Sequence, residues 1–287
     1  MKIIAVWLCV SFLIVASGSA GEPQIDNVDL DSRVLEQRLS AWLTTWSAAV
    51  DDPTWVGWHV PMIERDQLLC CWGRGDRKAS DRACLLEGSH RHLVFSSDRP
   101  VTGIQVANLV VLVRAAEGEL REVRAYSEGC RLDAGGRAVI WLEGVEPEES
   151  VALMAELVET RAGTQDEALM ILAQHASPVA ADRLVGLARQ SADSDLRGEA
   201  LFWVAQTGAD QASEVILEAV AEDPDSGVRE EAIFALSELP DDEGIPILLE
   251  ILRDGSRPGA VREQAFFWYV QSGDAQALDL IAEILTD

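Results

Sequence analysis

Lysine is nearly missing from this chain. It occurs only as Lys2 and Lys78, so almost all of the 23 basic residues are arginine, set against 49 aspartates and glutamates. A formal net charge of −26 leaves no basic stripe to displace counterions from phosphates, which excludes nucleic acid as a partner. An acidic surface also keeps copies of a chain apart, so a monomer is expected. Arginine suits paired, planar contacts better than loose solvation. Histidine is scarce: His59, His90, His92 and His175 are all there are. The sequence has no Gly-x-Ser-x-Gly elbow and no glycine-rich phosphate loop. Beyond the N-terminus it has no apolar run long enough to span a bilayer.

The N-terminus reads as a signal peptide over residues 1–20. Lys2 supplies a short positive start and Ile3 to Ala16 an apolar stretch of 14 residues, shorter than the ~20 that a membrane anchor needs. Ser17-Gly18-Ser19-Ala20 places small residues for cleavage before Gly21. Cys9 lies inside the apolar stretch and no cysteine follows the small residues, so a lipid anchor is not expected. The mature chain is expected to be soluble and exported, periplasmic or secreted, with no membrane insertion after the signal is removed.

Cys70, Cys71, Cys84 and Cys130 then remain. In an oxidising compartment an even set implies two disulfides, with three possible connectivities. Joining Cys70 to Cys71 would strain a tight ring, so the adjacent pair is expected to split between Cys84 and Cys130. Zinc held with His59, His90 or His92 is the rival reading, but the spacing matches no familiar ligand pattern. No metal and no cofactor is expected.

Residues 21–146 read as a small disulfide-containing α+β domain. Val34, Leu35, Leu39, Trp42, Leu43 and Trp46 have helical spacing, which predicts a helix over Asp29 to Val50 ended by Asp51-Asp52-Pro53. Trp55 to Pro61 alternates and closes on proline, as an edge strand does. Gln67 to Trp72 is a second apolar run. Ala107 to Ala115 and Leu120 to Ser127, joined through Glu117-Gly118-Glu119, form a hairpin pattern. Gly135-Gly136 turns the chain into a last strand at Ala138 to Leu142.

Residues 147–287 are different. Ala168, Ala200, Ala232 and Ala265 recur at intervals of 32, 32 and 33 residues. Gln165, Arg197, Arg229 and Arg262 share one register with them, Met170, Phe202, Phe234 and Phe267 another, and Gln174, Gln206, Glu238 and Gln271 a third. A period in the low thirties marks an α-solenoid, whose units bury their apolar faces only by stacking. Pro147 starts a capping helix to Thr160. Four helix pairs follow: Gln165 to His175 with Pro178 to Gln190, Ser194 to Thr207 with Ala209 to Ala221, Ser226 to Leu239 with Asp241 to Arg253, and Ala260 to Ser272 with Asp274 to Leu285. Thr164 to Glu167 reads as a capping box, and Gly208 and Gly273 as helix-closing glycines.

Asp225-Ser226-Gly227-Val228-Arg229-Glu230-Glu231-Ala232-Ile233-Phe234-Ala235-Leu236 resembles the first helix of a HEAT repeat, more narrowly the short HEAT-like repeats first noted in phycobilisome lyases. The resemblance covers roughly residues 147–287 and implies the solenoid fold. It implies no lyase chemistry, since no bilin-handling motif accompanies it. Trp55 to Pro61 together with Cys70-Cys71-Trp72 also resembles the front domain of uncharacterised exported bacterial HEAT-repeat proteins.

The register of Met170, Phe202, Phe234 and Phe267 is apolar where the resembled repeat is usually polar. With Trp203 and Trp268 it forms a candidate interaction ridge. Burial of the ridge, between helix layers or under the N-terminal domain, is the other placement. It is favoured because a fully exposed ridge invites aggregation. Arg197, Arg229 and Arg262, preceded by Asp193 and Asp225, read as a structural ladder tying each helix start to its neighbour. Trp55, Trp58 and Trp72 form a candidate aromatic site for a sugar or peptide, although large rings filling a small core explain them more simply. Catalysis has little support. Ser96, Ser97 and Asp98 follow His90 and His92, but three residue types without an elbow do not make a triad. The expected function is therefore a non-enzymatic interaction or scaffold module of the bacterial cell envelope that binds another protein. A Trp-cluster binding protein is the first alternative and an unrecognised hydrolase the second.

Overall fold

The structure, a computed structural model, describes residues 23–64, 69–71, 83–87, 93–95, 108–160, 163–209 and 211–274. Its N-terminal part is built on a five-stranded sheet. In chain order the strands and helix are β1 (Ile25–Asp26), β2 (Asp29–Val34), α1 (Leu39–Ser47), β3 (Thr54–Pro61), β4 (Leu69–Cys71), β5 (Cys84–Leu85), β6 (Leu93–Phe95), β7 (Asn108–Ala116), β8 (Glu119–Ser127), β9 (Leu132–Asp133) and β10 (Ala138–Glu143). The main sheet runs β2-β10-β3-β7-β8, with β1-β9-β5 and β4-β6 as small accessory sheets. β7 and β8 form the expected hairpin, turning at Glu117 and Gly118 with φ of 55° and 80°. Positive φ at both central residues matches the right-handed twist of the strands, and glycine accepts it without strain.

Two expectations give way here. Asp29 to Val34 is a strand, and helix begins only at Leu39. β2 pairs in parallel with β10 along its full length and buries almost nothing, so backbone bonding holds it and side-chain periodicity does not. β3 is the central strand of the sheet. Its proline comes last, where pairing ends, and so removes no interior ladder bond.

Alternation along β3 divides its side chains between two cores. Val56, Trp58 and Val60 join the core shared with the helices, whereas Trp55 joins Cys70, Cys84, Cys130, Leu86 and Trp141 on the opposite face. Cys70 is bonded to Cys130, 60 residues away. Closing a loop of that length restrains the unfolded chain by ~4 kcal/mol. Cys84 is also disulfide-bonded. Gly57 lies directly across from Trp141, whose indole occupies the space a Cβ would fill.

The helices follow the repeat closely. They are α2 (Pro147–Thr160), α3 (Gln165–Gln174), α4 (Pro178–Gln190), α5 (Ser194–Thr207), α6 (Ala212–Glu222), α7 (Ser226–Ser237), α8 (Gly244–Arg253) and α9 (Gly259–Gln271). The expected partner helix from Asp274 to Leu285 lies outside the described residues. Asp193, Asp225 and Ser177 cap their helices through side-chain oxygens, and Gly208 closes α5 at φ 63°. Thr164 makes no side-chain cap bond, so the expected capping box does not form there. A 3-10 turn at Pro240–Asp242 precedes α8, with Asp241 and Asp242 at positive φ, so the helix starts later than Asp241. α3, α5, α7 and α9 lie side by side as one layer, and α2, α4 and α6 form the other.

The sheet closes the first end of this array. Met62 of the segment after β3 bridges His175 at the end of α3, with Ile63 N–H donating to the Gln174 carbonyl and Ala176 N–H to that of Pro61. Beneath the bridge lies a buried polar chain. The Trp58 indole N–H donates to Ser150 Oγ at 3.0 Å, and His175 Nε2 lies 2.8 Å from the same oxygen. His175 Nδ1 faces the Ile171 carbonyl at 2.8 Å. A carbonyl only accepts, so Nδ1 carries the proton and Nε2 accepts from the Ser150 hydroxyl. Burial lowers the His175 pKa to about 4, leaving the ring neutral at neutral pH.

Candidate functional site

Helical spacing builds the site. On α5, Glu199, Phe202 and Gln206 are three and four residues apart and so share a face. Glu231, Phe234 and Glu238 repeat the stripe on α7 and the residue capping it, and Gln264, Phe267 and Gln271 repeat it on α9. Side-by-side helices bring the rings into register. Phe202 stacks on Phe234 with centroids 5.8 Å apart and planes 6° from parallel. Phe234 meets Trp268 at 4.6 Å, while Trp203 stands edge-on to Phe202 and Phe267 edge-on to Trp268. Five rings thus form one continuous strip across three helices.

Its placement divides the sequence expectation. Met170 is buried and Gln174 fully so, because α3 is covered by β8 and the segment following β3. Phe202, Trp203, Phe234 and Trp268 are only half-buried, and Phe267 is 49% exposed. Burial under the N-terminal domain therefore holds for the first unit alone. The following three leave aromatic surface open.

Beside the strip runs an acidic row. Glu199 is held above the ordinary carboxylate range by burial and by Asp166, Glu231, Asp195 and Asp193. Glu231 is raised by burial, then by Asp195 and Asp225. The charges that raise these two are all carboxylates. On the other side of the rings, Gln206 Nε2 donates to Glu238 Oε2 at 2.9 Å. Burial raises Glu238, and that bond opposes the shift. Glu231 reaches α5 because Gly198 has no side chain; a Cβ there would overlap its carboxylate. The sequence signal for this contact is that Gly198 is the only glycine at a register that elsewhere holds Asp166, Glu230 and Glu263.

The arginine register works differently from expectation. Arg197 makes a two-pronged pair with Asp223, at 2.8 and 2.9 Å, and also donates to the Ser191 carbonyl. Arg229 donates to the Asp223 carbonyl at 2.6 Å. Asp193 and Asp225, expected as partners, instead accept from N–H groups at the starts of their own helices. The Arg197 hydrogen bond holds the Asp223 carboxyl low, and the same contact raises Arg197. Arg262 Nε is buried without a hydrogen-bond partner among the described residues, so the ladder does not extend to α9.

Trp55 and Trp58 do not form an open site. Trp55 and Trp58 are both fully buried, on opposite faces of β3 as strand alternation requires, and Trp72 lies outside the described residues. Trp55 donates to Glu87 Oε1 at 3.0 Å, with the Arg114 and Arg124 guanidinium groups over its ring. His90, His92, Ser96, Ser97 and Asp98 also lie outside the described residues. His59 packs edge-on against Trp141, and burial lowers its pKa against the opposing pull of Glu128. An open cleft of about 530 Å³ between α2 and α4 is lined by Glu159, Gln165, Asp182, Arg183 and Gln190, with no histidine or cysteine. Among the described residues no group of three or more His, Cys, Asp or Glu could hold a metal ion. No helix among them is long and apolar enough to cross a membrane.

Paired helices stacked in two layers, with ladders between successive units, define a helical-repeat protein. The repeats are similar to HEAT repeats: a family model of that description matches residues 184–267, from within α4 to within α9. The aromatic strip on α5, α7 and α9 falls inside this span, apart from Trp268, which borders it. No curated protein matches the chain.

Proposed function

We propose that this chain is a non-enzymatic protein-interaction module of the bacterial cell envelope. It is exported and cleaved after Ala20, and works as a monomer whose solenoid of about four helix pairs docks another protein. The observation that carries this reading is the five-ring strip on α5, α7 and α9, four of its rings half-buried and Phe267 exposed. Large aromatic surface on a folded chain is costly to leave in water and supplies the strongest anchors when covered. An interaction role also agrees with the state of the described histidines. His175 is neutral and locked between Ser150 and a carbonyl, which suits a structural contact better than proton transfer.

A photo-crosslinking amino acid at Phe267, compared with one at exposed Val179 on α4, tests the reading in cells. The expected result is a discrete protein adduct from position 267 only, lost on adding Phe234→Glu while far-ultraviolet circular dichroism stays unchanged. Equal adducts from both positions, or none from 267, would refute it.

A further inference from the structure

The charge around the strip says what kind of partner it takes. Glu199 and Glu231 lie one helical turn from Phe202 and Phe234, with their side chains exposed beside the rings. No ion pair with Arg, Lys or His involves either carboxylate among the described residues. An apolar or acidic occupant would strip these carboxylates of water and give nothing back, which is costly for buried charge. A second copy of this chain would bring the same acidic row against itself. A partner that satisfies both features carries an apolar stem ending in a positive charge. Arginine and lysine have that form, laying their methylene chains on apolar surface while the charged head reaches a polar group.

We propose that the strip binds an extended cationic segment of another protein, its arginine or lysine stems lying on the rings and its charged heads meeting Glu199 and Glu231. Helix spacing sets the pattern. Neighbouring packed helices lie ~8–10 Å apart and an extended chain advances ~3.3 Å per residue, so successive carboxylate stripes match basic residues two to three positions apart. Crossing from α5 to α9 takes about six residues on the same spacing. Gln271, exposed on the far side of the rings, offers an amide to the segment's backbone.

This inference rests on the docking reading, and the test separates the two. The mature protein is titrated against three fluorescein-labelled peptides of equal length, followed by fluorescence anisotropy. One has arginine at every third position with serine and leucine between; the other two have citrulline or glutamate at those positions. Binding is expected for the arginine peptide alone. It should weaken about fivefold or more with Phe267→Ala and about threefold with Glu231→Gln. Phe267 is the most exposed ring, so its removal leaves the fold intact, and circular dichroism verifies this for each variant. Citrulline binding as tight as arginine, still weakened by Phe267→Ala, would overturn the cationic partner and leave the docking strip standing. Arginine-peptide binding indifferent to Phe267→Ala would overturn the inference as diffuse attraction to an acidic surface. Binding of no peptide in a strip-dependent manner would overturn the cationic partner, while crosslinking from position 267 decides the docking reading by itself.

Discussion

Replacing Ser150 with alanine tests how the sheet is joined to the helical array. Its hydroxyl is fully buried, accepts from the Trp58 indole N–H and donates to His175 Nε2. Alanine fills nearly the same space, so no cavity of consequence follows. It leaves one donor and one acceptor buried with no partner from Ser150. Each such group costs ~1–3 kcal/mol, which gives about 2–4 kcal/mol for the pair after partial relaxation. For a protein of this size that corresponds to a fall in Tm of about 4–7 °C. Urea denaturation followed by tryptophan fluorescence reads the change directly, since Trp58 reports on the site. Ser177→Ala is the comparison, because it removes only the α4 cap bond to Val179, worth ~1 kcal/mol. A loss from Ser150→Ala below ~0.5 kcal/mol, the range of ordinary surface substitutions, would refute the chain of hydrogen bonds and its tautomer.

Three other outcomes are expected. His175 binds its proton at about 4 in the folded chain, against about 6.5 for an unperturbed histidine. The unfolded chain therefore takes up the proton first, and stability falls by ~3 kcal/mol from this group as pH drops through that window. The raised Glu199 and Glu231 act oppositely; denaturation midpoints that stay flat across the window, with those two changed to Gln, would refute the His175 assignment. Gly57→Ala places a Cβ 2.7 Å from Trp141 Cζ3 and 2.8 Å from Leu112 Cδ2, so overpacking should cost ~1–3 kcal/mol in a thermal melt. A melt at the wild-type temperature would show that the sheet yields there freely. Thiol titration of the denatured, unreduced mature protein should find no free cysteine, and peptide mapping should find Cys70 with Cys130 and Cys84 with Cys71. Several reactive thiols would contradict this.

Legibility followed locality. Asp193, Asp225, Ser177, Pro147 and Gly208 act within a turn of their own positions, so the sequence marks most helix boundaries to within a residue or two. β2 was hidden for the opposite reason. Its residues are mostly polar and exposed, and the pairing that orders them comes from β10, about a hundred residues later. Pro61 misled because a proline at the last position of a central strand looks like one on an edge strand. In the candidate site, the three- and four-residue spacing disclosed the ring column. It could not disclose that Met170 alone lies under the sheet domain, since that depends on where a separate fold docks. Asp223 was missed as the Arg197 partner although a signal existed: it precedes the cap residue Asp225 by two, as Ser191 precedes Asp193.

The contact between Met62 and His175 has a consequence for what counts as a folding unit. One continuous core runs from Leu39 on α1 through Trp58 and Leu142 to Tyr269 on α9. Composition divides the chain near residue 146, but the apolar interior does not divide there. A fragment starting at Pro147 would present the sheet-facing sides of α2 and α3 to water, as an array missing its end plate does. The chain should thus melt in a single calorimetric transition, and its autonomy ends where the sheet is cut away.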